Sequence, residues 1–317
     1  MKNLILITLY IVPFVASAQT AEKVFKKTSK FLDRPEVSTM ICPSNPEEEM
    51  TEPKIKAGEV KITYPCDAYK LESSAINTVS FFEPNDNQDL LDKSGLILRQ
   101  RSGDSKDDVT LKYRPLKNED GTRPPLRVKT KNFEDIQAQR KIINAGKIKG
   151  DKSKLDMDCE ADVSYVESSS ESSDNYDRVD SCSISTNQQS YAVDAFNNNY
   201  KTFAAMVTNP IIFETDLTKY NKFDIISTSL KIKGAKSNSD IAVEKWEYAN
   251  KEDPTKKGCV LEFSKKFERD SLVELNDTIK GSMAGLLEDL KVLLPGSGPS
   301  KKQGNKTKTA LDFIKAK

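Results

Sequence analysis

Histidine is absent from all 317 residues, and that absence removes whole classes of chemistry. Ser-His-Asp and Cys-His nucleophilic catalysis, His-ligated zinc and histidine proton relays all need an imidazole. Any metal would be a hard ion held by carboxylates, and any general base an Asp, a Glu, a Lys or water. Net charge is almost absent too. The 49 Lys and Arg against 48 Asp and Glu leave +1, so no overall field recruits nucleic acid or an anionic membrane. There is no G-x-x-x-x-G-K-[ST] loop, no dinucleotide fingerprint and no repeat of fixed period. Beyond the first twenty residues, no stretch approaches the roughly 18 uninterrupted apolar residues of a membrane helix.

The opening M-K-N-L-I-L-I-T-L-Y-I-V-P-F-V-A-S-A-Q-T has one Lys, an apolar run and a small-residue end at Ala16-Ser17-Ala18. It reads as a secretory signal peptide over 1–18. The expected product starts at Gln19 and is exported, periplasmic or secreted, without membrane insertion. In such a compartment disulfides persist. The five cysteines stand at 42, 66, 159, 182 and 259, so one is left over. Cys159 and Cys182 flank a polar, Ser-rich loop and are the preferred pair, worth about 3 kcal/mol in the chain-entropy model. Cys42 with Cys66 is the natural second pair, and Cys259, in the apolar row Cys259, Leu261, Phe263, reads as a buried free thiol. Sequence alone leaves other connectivities open.

The stretch Leu90 to Arg114 reads as a hairpin. Side chains alternate with period two, so Leu96, Leu98 and Gln100 share one face of a strand and Ile97, Arg99 and Arg101 the other. After the polar run Ser102 to Asp108, Val109, Leu111 and Tyr113 form an apolar row, opposed by Thr110, Lys112 and Arg114. The pattern suits an ordinary surface hairpin whose cations meet water. It also suits two strands that are greasy on one side and cationic on the other.

The wider string, F-F-E-P-N-D-N-Q-D-L-L-D-K-S-G-L-I-L-R-Q-R followed by V-T-L-K, resembles the CYTH family of triphosphate tunnel proteins. That family orders its parts the same way: an aromatic-aromatic-acid turn, a Leu, a Gly, L-R-x-R on one strand and T-x-K on the next. The resemblance implies an α+β fold, a closed antiparallel β-barrel (tunnel) with peripheral α-helices, with Arg99, Arg101 and Lys112 lining the inside and holding phosphate oxygens. The family also carries an E-x-E-x-K strand whose acids bind magnesium or manganese. Here the strand E-V-K-I-T-Y offers Glu59, Lys61 and Thr63 on that face, one acid where the family has two.

The rest of the chain divides into an N-terminal helix and connection over 19–53, a barrel domain over 54–294 and a Gly, Ser and Lys-rich tail over 295–317, expected to be disordered. A brief helix is expected within 66–75, another over 133–145, and an aromatic helical stripe over 191–207. The strand at 156–166 places Asp158, Glu160 and Asp162 on one face. An exposed edge strand explains that row plainly, and an inward acidic wall facing the cations explains it functionally. Asp224 to Lys233 alternates Ile226, Thr228, Leu230 and Ile232 with Ser227, Ser229, Lys231 and Lys233. Strands over 240–248 and 258–267 contribute Glu244 and Glu262, and 272–294 is an amphipathic helix.

If these strands close, one cavity gathers the candidate phosphate ligands Arg99, Arg101, Lys112, Arg114, Lys231 and Lys233. The candidate metal ligands are Glu59, Glu160, Glu244 and Glu262. Buried cations must be neutralised by acids, water or an anionic ligand. The expectation is a binding or structural module with a cationic interior for a small phosphate-containing anion, with no nucleic-acid partner and no required cofactor. The alternative is a magnesium- or manganese-dependent phosphohydrolase acting on triphosphate or organic phosphates. The sequence assigns no catalytic residue.

Overall fold

The structure, a computed structural model, describes residues 50–84, 94–104, 107–129, 155–166, 176–186, 220–270, 272–300 and 306–316. The expected signal peptide, Cys42 and the helices over 133–145 and 191–207 lie outside them.

Period-two alternation runs through nine strands that close into a barrel. In chain order the strands are β1 (Met50–Thr51), β2 (Ala57–Tyr64), β3 (Ala75–Pro84), β4 (Leu96–Gly103), β5 (Asp107–Tyr113), β6 (Val128–Lys129), β7 (Leu155–Tyr165), β8 (Tyr176–Thr186), β9 (Tyr220–Lys233), β10 (Asp240–Ala249) and β11 (Lys257–Glu268). Around the barrel the order is β10-β11-β2-β7-β8-β5-β4-β3-β9, while β1 and β6 form a separate two-stranded sheet. All barrel pairs are antiparallel except β2–β7, which is parallel. Here Gly58 is required, because a Cβ would stand 2.2 Å from the Ala161 carbonyl oxygen and 2.6 Å from the Phe267 ring. A second glycine sets the organising hairpin. Gly95 has φ +71° and a Cβ on it would meet the Arg114 carbonyl oxygen at 1.9 Å, while its own carbonyl accepts the Arg114 N–H at 2.8 Å. That close approach starts β4 beside the end of β5.

The alternation sorts residues into two cores. Outside the wall lie Val60, Ile62, Leu96, Leu98, Leu111, Ala161, Val163, Leu261 and Phe263, in one cluster with the helix α1 (Leu275–Leu293). This helix buries Leu275, Ile279, Met283, Leu286 and Leu290, a three-and-four spacing that makes one stripe. Each such side chain contributes roughly 1.5–3 kcal/mol when fully buried. The fully buried Asp289 also sits on this helix. Its carboxylate accepts the N–H groups of Lys236 at 2.6 Å and Ser237 at 3.0 Å, tying the β9–β10 turn to α1.

Inside the wall, Val79, Phe81, Ile97, Phe223, Ile225, Trp246, Tyr248 and Val260 line one part of the lumen and pack against Ala310, Leu311 and Ile314. These last three belong to α2 (Lys306–Lys315), in the tail expected to be disordered. Thr307, Ala310, Leu311 and Ile314 are its buried residues, a stripe within a Lys-rich segment. A helix of three turns is marginal in isolation, so the lumen is what holds it. Asn250 fixes its far end, donating from its amide to the carbonyls of Phe313 at 2.9 Å and Ala316 at 2.7 Å. The brief helix expected over 66–75 is instead a turn and irregular chain, opened by the Ala68 N–H donating to the Pro65 carbonyl.

Cys159 and Cys182 are directly opposed on β7 and β8 and are joined as a disulfide. The second pairing differs from expectation: Cys66 is bonded to Cys259, 193 residues away, so Cys259 is no free thiol and Cys66 does not pair with Cys42. The register explains it. Tyr64 faces Leu261 across β2–β11, and continuing that antiparallel ladder by two residues brings Cys66 opposite Cys259. Closing a loop of this length constrains the unfolded chain by about 5 kcal/mol in the entropy model. Non-reducing peptide mapping should recover the Cys66–Cys259 and Cys159–Cys182 peptides; a Cys42–Cys66 peptide from native protein would contradict this register.

Candidate functional site: a charged lumen

The inward rows of β2, β4, β5, β7, β10 and β11 carry charges that the wall itself brings together. On the hairpin, Arg99 and Arg101 share the face of Ile97, whereas Leu98 and Leu111 are buried on the outer side, 2% and 0% exposed. Arg101 stands directly across from Asp108 and donates to it through both Nε, at 2.9 Å, and Nη2, at 2.6 Å, the bidentate geometry that suits a guanidinium.

The row Asp158, Glu160, Asp162 belongs to an interior strand, for β7 is paired on both sides. Asp162 is the hub. It accepts from Lys61 at 2.6 Å, Lys112 at 2.5 Å and Arg114 at 2.9 Å. Lys112 also reaches Glu160 at 2.8 Å, and Lys61 reaches Glu59 at 3.3 Å. Burial alone would raise the Asp162 carboxyl, but the three cations outweigh it and hold it well below the usual range. Lys61, pulled down by burial, is carried above its ordinary value by Asp162 and Glu59. Lys112 goes the other way: burial, aided by neighbouring Arg114 and Lys61, outweighs its acids. One carboxylate shared among three cations cannot satisfy all of them.

Glu244 and Glu262 are cross-strand partners on β10 and β11, the arrangement in which a hard cation could be held. The cation there is Lys306 of α2, 2.5 Å from Glu244 and 2.8 Å from Glu262. Its ammonium also lies 4.5 Å from the centre of the Trp246 ring. Burial opposes both charges, yet their attraction prevails, so Glu244 is held far below and Lys306 above its ordinary value. Glu59 is likewise lowered despite burial, by Lys61 and by the Ser264 hydroxyl donating at 2.7 Å.

The four candidate metal ligands therefore do not form one donor set. Glu59 and Glu160 are engaged by Lys61 and Lys112, and Glu244 and Glu262 by Lys306. Among the described residues no group of three His, Cys, Asp or Glu is placed to hold a metal ion. A divalent ion does not fit this arrangement, since each carboxylate already faces an ammonium. Two expected phosphate ligands also lie elsewhere. Lys231 and Lys233 continue the inward parity of β9 but are exposed, and Lys233 pairs with Asp240 at 2.5 Å, because the 14-residue β9 is long enough to carry its end into solvent.

Arg99 is different from every other lumen cation. Its Nε is buried without an acceptor, and among the described residues no carboxylate lies within ion-pair distance of it. Burial and the adjacent Arg101 pull its guanidinium down to about 10, against the weaker pull of Asp108 and Glu244. The Nε of Arg114 is also buried and unmet. Sequence reasoning named Arg99 but not Asp108, Asp162, Lys61 or Lys306 as site residues. Asp162 was visible only as one acid in a row of three, and Lys306 only as one of many Lys in a polar tail.

No family model matches the sequence, and no curated protein matches it. Among solved structures it is similar to that of HpAC1 from Hippeastrum, described as a putative adenylyl cyclase with a dominant triphosphatase activity. The match has 11% identity and a TM-score of 0.35, covering 81% of this chain and 96% of that one. The likeness is one of outline, and no residue role is carried from it. What the geometry itself defines is a closed barrel with a helix in one part of its lumen and a paired ionic network in the other.

Two outcomes follow from the ion pairs. Lys306→Met should cost about 3–5 kcal/mol, because two facing carboxylates lose their buried partner; Glu262→Gln added to it should recover part of that loss. Urea unfolding followed by the fluorescence of the single tryptophan reads both. Asp162, Glu59 and Glu244 have depressed folded-state values, so their contribution is complete above the unfolded carboxyl range and is lost as pH falls through the folded values. The melting temperature should stay level from about pH 8 to 5 and drop below about pH 4. Asp162→Asn should flatten that drop, and an unchanged pH profile would contradict the assignment.

Proposed function

We propose that this chain is an exported, divergent tunnel-type barrel that binds a phosphate-containing anion in its lumen and does not hydrolyse it. The observation that carries the reading is Arg99, whose Nε is buried in the barrel without an acceptor and whose guanidinium has no ion-pair partner among the described residues. A buried unpaired cation is costly, and planar guanidinium donors match the spacing of phosphate oxygens. Arg101, Lys112 and Arg114 of the same hairpin are matched by Asp108, Glu160 and Asp162, which leaves Arg99 as the donor on that side.

The non-catalytic half of the reading rests on the carboxylates. A phosphohydrolase of the metal-dependent kind needs acids free to hold magnesium or manganese and activate water, and here lysines occupy them. The hairpin resemblance to CYTH proteins supports the tunnel assignment. The two disulfides suit an oxidising compartment, which supports export, and among the described residues no helix is long and apolar enough to cross a membrane.

Orthophosphate should raise the melting temperature of the wild-type protein with or without magnesium or manganese, and Arg99→Ala should abolish that shift while the apo protein stays folded. Release of phosphate from tripolyphosphate on adding either metal would favour the phosphohydrolase reading. No shift with any phosphate compound would leave a purely structural barrel.

A further inference from the structure

The lumen is neutral as built. With Arg99 counted, these cations and carboxylates match at six each: Lys61, Lys112 and Arg114 are gathered on Asp162, with Glu59 and Glu160 at their outer sides, Arg101 is matched by Asp108, and Lys306 is shared by Glu244 and Glu262. A linear polyphosphate carries several negative charges and would need several free cations along the tunnel. In the lumen the described residues leave one guanidinium without an ion-pair partner, Arg99, and one further unmet donor, the Nε of Arg114. The remaining cations are already clasped around an oxyanion that the protein supplies.

Resting on the anion-binding reading above, we propose that Asp162 is the specificity-determining residue of the lumen, a built-in anion occupying the place of additional phosphate groups. It restricts the site to a ligand presenting a single phosphate group: orthophosphate, or the end of a phosphate monoester. The geometry is that of a bound oxyanion. The two oxygens of Asp162 receive two ammonium groups and one guanidinium, within 2.5–2.9 Å, from β2, from β5 and from the residue that follows it. The carboxylate is 7% exposed and is held ionised by its neighbours, so it does not step aside by taking up a proton at neutral pH. A polyphosphate entering this side would have to displace Asp162 from all three cations and leave it buried beside a second anion, and like charges in close contact disfavour the wrong ligand strongly.

Calorimetric titration of the full chain with orthophosphate and with tripolyphosphate, magnesium-free, tests this in wild type, Asp162→Asn, Glu160→Gln and Arg99→Ala. Wild type should bind orthophosphate more tightly than tripolyphosphate, by about tenfold or more. Asp162→Asn should tighten tripolyphosphate by about tenfold or more and leave orthophosphate within about threefold, because it removes the negative charge that three cations share and with it the repulsion. Glu160, half-exposed and with a carboxylate that among the described residues pairs with Lys112 alone, is the milder change. Its Gln variant should tighten tripolyphosphate by a smaller factor, and it decides the matter if Asp162→Asn does not fold. Wild-type binding of tripolyphosphate as tight as that of orthophosphate or tighter, or folded variants with no gain, would overturn the role of Asp162. If Arg99→Ala still lost orthophosphate in that case, the anion-binding reading would stand alone. Failure of wild type to bind orthophosphate at all would overturn that reading, while a gain of tripolyphosphate in Asp162→Asn would still support the built-in anion.

Discussion

A charge sealed inside a closed barrel has to find its counter-charge there, and most of this structure can be read as the consequence. Removing an ion from water costs several kcal/mol even after relaxation, so a wall that turns Arg99, Arg101, Lys112, Arg114 and Lys61 inward is tolerable only if other strands turn acids inward at the same levels. β7 does so with Glu160 and Asp162, β5 with Asp108, and β10 and β11 with Glu244 and Glu262. The same requirement locks the register. A slip of one residue in β7 would place Cys159, Ala161 and Val163 against the cations and put Asp162 in the outer apolar cluster.

The lumen is divided. One part is apolar and is filled by α2; the other is ionic and is filled by paired side chains. Lys306, at the first position of α2, lies where the two parts meet, with its ammonium between two carboxylates and against the Trp246 ring. At the helix's other end Asn250 caps the chain and Lys315 reaches Glu83 at 3.3 Å. The helix is therefore held by polar anchors at both ends and by an apolar stripe between them, which is why a Lys-rich segment of low overall hydrophobicity is ordered. The two disulfides act on the wall instead, each continuing or crossing a ladder that the strands already form.

Much of the wall is legible in residue order alone. The hairpin, the inward sense of Arg99, Arg101 and Lys112, the outward sense of Leu98 and Leu111, and the α1 stripe all follow from period two or period 3.6 in short windows. Cys159 and Cys182 are legible because they bracket a single hairpin. The Cys66–Cys259 bond is not, since it depends on which strands become neighbours across 193 residues. The same holds for Lys306. Nothing local marks it out among the tail lysines, and its role exists only because α2 returns to the opening beside β10 and β11.

Alternation by itself settled which side chains share a face, because pleating is a property of the backbone and needs no partner strand. Composition also settled, through the lack of histidine, that no imidazole of these 317 residues can serve as a base, nucleophile or metal ligand. Neither could settle what each charge faces. That was decided by closure: the parallel meeting of β2 with β7 brought Lys61 to Asp162, the β5–β8–β7 ladder brought Lys112 and Arg114 to the same carboxylate, and the return of α2 gave Glu244 and Glu262 an ammonium. Coulomb energy and desolvation act through space, whereas residue order specifies only distance along the chain. The network, and the guanidinium that the described residues leave out of it, therefore belong to the tertiary structure alone.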